Sequence, residues 1–398
     1  MHIKIVVNSF PKSSETFLFN LVTGLEKRGI KVTVCATQKS KDTGFYAHRL
    51  KDWSGDIQYL PGKTNIIFRF LPVVRFIVAK PTLFIKLIRK WGFKKGAGIF
   101  LYVSYLLKGS PDIIHFSFSG IGITYIDCLQ YLKKHLIKII VSCRGTAEKV
   151  KPLLDPERAE KLKLLFSEVD LVHCVSKDMR NGLSFFNLPY EKAFINYPSI
   201  DLKNFKRTAM ASGASNNINI VTTGNLNFSK GYIFALQAMK ILKERGHKFT
   251  YHILGEGEDR PMITYAIHQF GLSNYVKLHG QVSSLKVFEQ LNTADAFLLP
   301  SIYEGVSNAA LEAMAMGIPL ITTKAGGMEE VVQNRKNGMI VECFDGLAIA
   351  NAIEEVLLSK ELRSSLANNG RLTVENEFTL EKQIDIFVEQ YKNILNVT

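Results

Sequence analysis

"IKIVVNSFPKSSETFLFNLVTGLEKRGIKVTVCAT" (residues 3–37) decides the fold class. Its first seven residues are a short apolar run rich in β-branched side chains, which suits a strand buried on both faces. "FPKSSET" breaks that run, and Ser13 or Ser14 can cap a helix that starts there. Phe17, Leu18, Leu21 and Leu25 then recur at helical spacing. "RGIKVTVCAT" returns the chain to a second β-branched strand. A strand, a helix and a strand of this kind form a β-α-β unit, and such units build parallel sheets.

The theme repeats along the chain. "DIIHFSF" (112–118), "IKIIVSC" (137–143) and "VDLVHCVS" (169–176) continue the first series. A second series starts after residue 217 with "INIVTTG" (218–224), "KFTYHILG" (248–255), "YVKLHGQV" (275–282), "ADAFLLPS" (294–301) and "IPLITTK" (318–324). Between them lies "FKRTAMASGASNN" (205–217), polar and without periodicity, which reads as a linker. The expectation is an α/β protein of two doubly wound, Rossmann-like domains facing across a cleft, 1–204 and 218–379. Ligands of such sheets bind beyond the carboxyl ends of the strands. The amphipathic tail 380–398 is expected to be helical, and the sequence leaves open which domain it packs on.

The 398 residues suffice for two substantial cores. The net charge of +14 is uneven: residues 1–200 hold 31 Lys+Arg against 15 Asp+Glu, and the remainder 19 against 21. The first half is therefore expected to meet something anionic. Five scattered cysteines, with no C-x-x-C pair, point to reduced thiols and a cytoplasmic setting. No apolar run is long enough for a membrane span.

Four strand-end loops carry the candidate chemistry. In "TTGNLNFSKGY" (222–232), Lys230 sits where a helix begins, near Lys230 or Gly231, so its charge adds to backbone N–H groups that attract phosphate. "LGEGEDR" (254–260) and "HGQV" (279–282) offer glycine turns and backbone groups for a base. In "SIYEGVSNAALEAMAMGIP" (301–319), Glu304 precedes a helix and Glu312 lies inside it. Eight helical residues would separate the two acids by roughly 12 Å, too far for the ~5 Å carboxylate pair of a retaining glycosidase. The spacing suits instead a long ligand with an acid at each end and a phosphate near Val306–Asn308.

The Glu-seven-residue-Glu pattern, followed by "AMAMGIPLITTKAGGMEEVV", resembles the signature of the retaining nucleotide-sugar glycosyltransferases of family 4, whose fold is of the GT-B type. "GNLNFSKG" and "LGEGEDR" match the same family in order, and "FPKSSETFLFNLVTGLEKRG" resembles its exopolysaccharide, capsule and O-antigen branch. The resemblance implies that Glu312 holds the ribose and Glu304 the transferred sugar. Lys230 would offset the leaving diphosphate, with the backbone of Val306, Ser307 and Asn308 at the distal phosphate. Gln281 and Val282 would border the base, and Gly224 and Gly255 would admit the nucleotide. Two positions depart from the family pattern. Asn225 stands where an arginine is usual, and Arg144 where the family has histidine. Arginine is no base at neutral pH, but it would bind a phosphate or an anionic sugar. Ser14, Glu15 and His115 fall on the expected acceptor side, although a buried, structural histidine is the plainer reading of His115.

The segment 63–109 holds ten Lys+Arg and no acid, interleaved with Phe, Ile, Leu and Trp91. That composition suits peripheral contact with an anionic membrane at its cytoplasmic face. Nucleic acid is not expected as a partner, for want of any binding motif. The nine histidines form no cluster and there is no D-x-D, so no metal and no cofactor is expected beyond the nucleotide-sugar donor. The resemblance thus implies transfer of a sugar to a lipid-linked glycan. Two alternatives stay open: a nucleotide-sugar epimerase or phosphorylase on the same fold, and a non-catalytic nucleotide-sugar binding protein.

Overall fold

The computed structural model describes residues 1–12, 15–40, 53, 55–59, 74, 77–78, 80–205 and 217–396. The expected caps Ser13 and Ser14 and most of the expected linker lie outside the described residues; Glu15 occupies the cap position of the helix Thr16–Glu26 without a side-chain capping bond to it. The chain divides into two compact units. Unit 1 comprises residues 1–174, 180–196 and 384–398; unit 2 comprises 175–179 and 197–383.

Among the described residues, unit 1 is built on seven parallel strands: β1 (His2–Phe10), β2 (Lys31–Lys39), β3 (Asp56–Tyr59), β4 (Ile113–Phe116), β5 (Lys138–Cys143), β6 (Leu171–Cys174) and β7 (Ala193–Ile195). Their order is β3-β2-β1-β4-β5-β6-β7, with Ile3 opposite Ile113 across the centre. Unit 2 carries six more: β8 (Ile218–Thr223), β9 (Phe249–Leu254), β10 (Val276–Gly280), β11 (Ala296–Leu299), β12 (Leu320–Thr323) and β13 (Met339–Val341), in the order β10-β9-β8-β11-β12-β13. Every pairing is parallel. Central strands such as β11, "AFLL", are buried along their whole length because helices cover both faces. One face of the unit 2 sheet packs on the helices Tyr232–Glu244 and Gly346–Leu358, the other on Asn308–Ala315. In each unit the winding reverses once, between β1 and β4 and between β8 and β11. Loops at such a reversal leave the sheet in opposite directions and open a crevice for ligand.

The C-terminal helix, Leu380–Leu395, settles the packing that the sequence left open. Its residues from 384 onward belong to unit 1, where Ile384, Phe387 and Tyr391 are buried at spacings of three and four. A Cβ on Gly24 would lie 2.6 Å from Ile384 Cγ1, so the glycine within the first helix makes room for the last.

Tyr391 also ends a chain of buried polar groups. Tyr391 O–H lies 2.7 Å from His115 Nδ1, and His115 Nε2 lies 2.8 Å from Ser142 Oγ. Ser142 Oγ lies 2.8 Å from His173 Nδ1, and His173 Nε2 lies 2.8 Å from the carbonyl oxygen of Asn196. A carbonyl only accepts, so His173 Nε2 must carry the hydrogen. That choice fixes the rest: Ser142 donates to His173, His115 donates to Ser142, and Tyr391 donates to His115. Burial pushes His115 down to about 3 and His173 well below its ordinary range, so both are neutral as the chain requires. His115 is therefore no acceptor-side residue. It is buried with both nitrogens engaged, which corrects the expectation for it.

Tyr391→Phe removes the donor and leaves His115 Nδ1 as a buried unpaired acceptor. The expected loss is ~1–3 kcal/mol of unfolding free energy, measured by urea denaturation. A change within a few tenths of a kcal/mol would show that the chain of bonds does not hold the helix.

Candidate active site

β8 and β11 lie side by side at the reversal in unit 2, and the loops that leave their carboxyl ends hold most of the expected donor-binding residues. After β8 comes a loop through Asn225, then a single 3-10 turn, Phe228–Lys230, then the helix Tyr232–Glu244. The helix thus starts one residue beyond Gly231. After β11 the chain passes Pro300 and Glu304 before the helix Asn308–Ala315.

Backbone bonds lock the two loops together. The carbonyl oxygen of Ser229 accepts the N–H groups of Ile302 at 2.8 Å and Tyr303 at 3.3 Å. Gly231 has a φ of +64°, and a Cβ there would sit 2.0 Å from the carbonyl oxygen of Pro300. Only glycine permits both the left-handed turn and that approach. Lys230 is thereby delivered to Glu304: its Nζ lies 2.5 Å from Glu304 Oε2, with the two side chains 21% and 14% exposed. Ser301 Oγ donates to the same carboxylate oxygen at 3.2 Å, and Thr323 in turn donates to the carbonyl oxygen of Ser301.

The glycine turns meet at the same place. A Cβ on Gly255 would lie 1.8 Å from the carbonyl oxygen of Gly224, so the ends of β8 and β9 touch backbone to backbone. Tyr232 O–H donates to that carbonyl at 3.1 Å. Asn225 is exposed on the loop, Gln281 is exposed after β10, and Val282 packs its half-buried side chain against the core.

Glu312 differs from Glu304 in its surroundings. It lies within the helix and is half-buried, and among the described residues no donor reaches its carboxyl group. Loss of hydration pushes it up to about 7. A carboxylate so placed gains from any ligand that brings hydroxyl donors. At the start of the same helix, Val306 and Ser307 are buried, Ser307 makes no side-chain cap, and Asn308 Oδ1 is buried without a hydrogen bond. The N–H groups of this first turn are thus left for an outside acceptor.

In unit 1, Arg144 follows β5. Its guanidinium carbon lies 4.0 Å from the centre of the Phe17 ring, and its Nε donates to the carbonyl oxygen of Ser117 at 3.3 Å. Burial lowers it to about 10, with the charge of Glu15 opposing that shift, so it stays cationic at neutral pH. Its backbone is fixed by buried Glu148, whose Oε2 accepts the N–H groups of Arg144 and Gly145. Arg144, Glu15 and Phe17 thus stand together in unit 1. Glu15 is also ion-paired with Lys12 at 2.8 Å. Ser14 lies outside the described residues.

Sequence reasoning missed Ser229, Ser301, Tyr232 and Thr323, which hold Lys230, Glu304 and Gly224 in place. Ser301 carried a faint signal, being a small polar residue next to a strand end and three residues before the acid.

The family model described as Glycosyltransferase Family 4 matches residues 14–204, and that for Glycosyl transferases group 1 matches 207–373. WcaL of Escherichia coli (strain K12), assigned as a colanic acid biosynthesis glycosyltransferase, is 27% identical over 95% of this chain and 96% of its own length. The amylovoran biosynthesis glycosyltransferase AmsK of Erwinia amylovora is 26% identical over the same shares. The crystal structure of Anabaena Alr3699/HepE in complex with UDP and glucose superposes with a TM-score of 0.74 at 16% identity, over 99% of this chain and 100% of that one. That likeness is one of fold, the GT-B type. Matched along nearly its whole length by the two models in series, this chain belongs to the family 4 glycosyltransferases.

Proposed function

We propose that this glycosyltransferase moves a sugar from a nucleotide-diphosphate sugar to a lipid-linked glycan in cell-surface polysaccharide biosynthesis, with retention of anomeric configuration and without a metal. The observation that carries the reading is the Lys230–Glu304 pair at the reversal of the unit 2 sheet. In the free protein each charge neutralises the other. A diphosphate arriving there competes for Lys230 and releases Glu304, which then accepts hydroxyl hydrogens from the transferred sugar. Lys230 opposes the negative charge that grows on the diphosphate as the glycosidic bond breaks, and this stabilises the transition state more than the ground state. Glu312 accepts the ribose hydroxyls, and the first turn of Asn308–Ala315 takes the distal phosphate. The names of the polysaccharide relatives support the pathway class, and the fold shared with a structure holding UDP and glucose supports the donor class. Arg144, held in unit 1 with one face against Phe17, is assigned to an anionic group of donor or acceptor.

The two residues are expected to behave differently. Lys230→Ala lowers turnover by about 10²–10³, in keeping with the loss of one transition-state donor. Glu312 is raised in the folded protein from 4.5 to about 7, so between those values the folded state binds more protons than the unfolded one; stability falls as pH rises through that window, and the full loss is present above it. Glu312→Gln therefore raises unfolding free energy at pH 8 by roughly 1–3 kcal/mol while weakening donor binding. Calorimetry of both variants against UDP-, GDP-, ADP- and TDP-sugars checks this; full turnover in Lys230→Ala, or unchanged donor affinity in Glu312→Gln, sinks the assigned roles.

Retention and metal independence share one assay. Proton NMR of the product formed in excess EDTA should show the anomeric configuration of the donor sugar, at an undiminished rate. An inverted product, or activity only on adding Mg²⁺ or Mn²⁺, overturns the corresponding part of the proposal.

The membrane reading rests on the helices Pro81–Trp91 and Phe93–Leu107; much of 63–79 lies outside the described residues. No helix among the described residues is long and apolar enough to cross a membrane. Val78, Ile85 and Phe93 are exposed beside Lys86, Arg89, Lys90 and Lys94. Such a surface suits contact with the cytoplasmic leaflet, at about 1 kcal/mol per basic residue near anionic lipid. Sedimentation with phosphatidylserine vesicles should exceed that with phosphatidylcholine, and Phe93→Asp with Lys94→Glu should abolish the difference. Equal sedimentation with both lipids would remove the membrane from the proposal.

A further inference from the structure

A concavity lies in unit 1, beside the edge strand β7. It has a volume of about 260 Å³ and opens between the helix Lys177–Gly182 and the segment that leads into β7. Leu188, Pro189 and Ala193 form its apolar side, and Arg180 and Tyr190 its polar side. Ligand pockets usually measure about 300–1,000 Å³, so this one suits a single compact unit rather than an oligosaccharide.

Its chemistry is set by Arg180. The guanidinium carbon lies over the Tyr190 ring, 4.0 Å from its centre, a cation–π contact. Its Nε is buried and makes no hydrogen bond, and among the described residues no carboxylate pairs with Arg180. Its two Nη groups, unlike Nε, are not enclosed and make no hydrogen bond among the described residues, so they are the donors left for a ligand. Side by side they form a fork that matches the two oxygens of a carboxylate or phosphate. Among the described residues no hydrogen bond or ion pair joins Arg180 or Tyr190 to Lys230 or Glu304.

We propose that the Arg180–Tyr190 pocket binds a carboxylate or phosphate carried on a single sugar-sized unit, at a site separate from the donor site. The oxyanion pairs with Arg180, and the body of the ligand rests on Leu188 and Pro189. The acid could be a sugar carboxylate or a phosphate, and the probes tell the two apart.

Calorimetric titrations of the full chain with glucuronate, inorganic phosphate and neutral glucose test the proposal. At least one of the anions should bind in the millimolar range, and glucose should not. Arg180→Met should weaken that binding at least tenfold while leaving nucleotide-sugar binding unchanged, and Arg180→Lys, which keeps the charge but loses the fork, should fall between. Should Arg180→Met fail to fold, Ser184→Trp blocks the exposed rim of the pocket with Arg180 intact and should also abolish binding. Preference for glucuronate over phosphate identifies a sugar acid, and the reverse a phosphate. No binding of either anion, or equal binding in the wild type and every variant, overturns the proposal.

Discussion

The carbonyl oxygen of Ser229 accepts two backbone N–H groups from the loop after β11, and the unit 2 site depends on that double contact. Strands β8 and β11 are neighbours in the sheet but more than seventy residues apart in the chain. Their loops diverge at the reversal unless something joins them. Ser229 joins them, and Gly231 lets Pro300 come close enough for the joint to form. Lys230, between these two residues, is then carried to Glu304. Without the joint, Lys230 would be an ordinary lysine at a helix start, pointing into water.

The two acids of one helix region show how surroundings assign different work to the same side chain. Glu304 has a cation and a hydroxyl against it, so its carboxyl group is already partnered in the free protein. Glu312 has neither, and it bears the cost of poor hydration until a ligand brings donors. Stability is given up at the position proposed to hold the ribose, a common trade at functional sites.

Unit 1 offers the opposite lesson. His115, Ser142 and His173 are polar residues in the middle of buried strands, and each is fully used by its neighbours. The chain of bonds runs in one direction because Asn196 supplies a carbonyl at its end. A polar residue in an apolar strand attracts attention as a catalytic candidate, yet here it fastens the last helix of the chain. Arg180 differs from this group because it retains a donor without a partner among the described residues.

The sequence by itself determined the parallel α/β character of both units, the order of the four donor-side loops, and the family. All three rest on local periodicity and on motifs that each span fewer than thirty residues. Glu304, Glu312 and Lys230 were legible as candidates for the same reason. Their relation was not: only the tertiary structure decided that Lys230 meets Glu304 rather than Glu312, and that Glu312 is the one left without a donor. It also decided that His115 is internal, and that the C-terminal helix packs on unit 1 through Ile384, Phe387 and Tyr391. Strand order brings residues 74 positions apart, as for Lys230 and Glu304, and helix-on-sheet packing brings residues 276 apart, as for His115 and Tyr391, to within one hydrogen bond, and no local pattern encodes that distance.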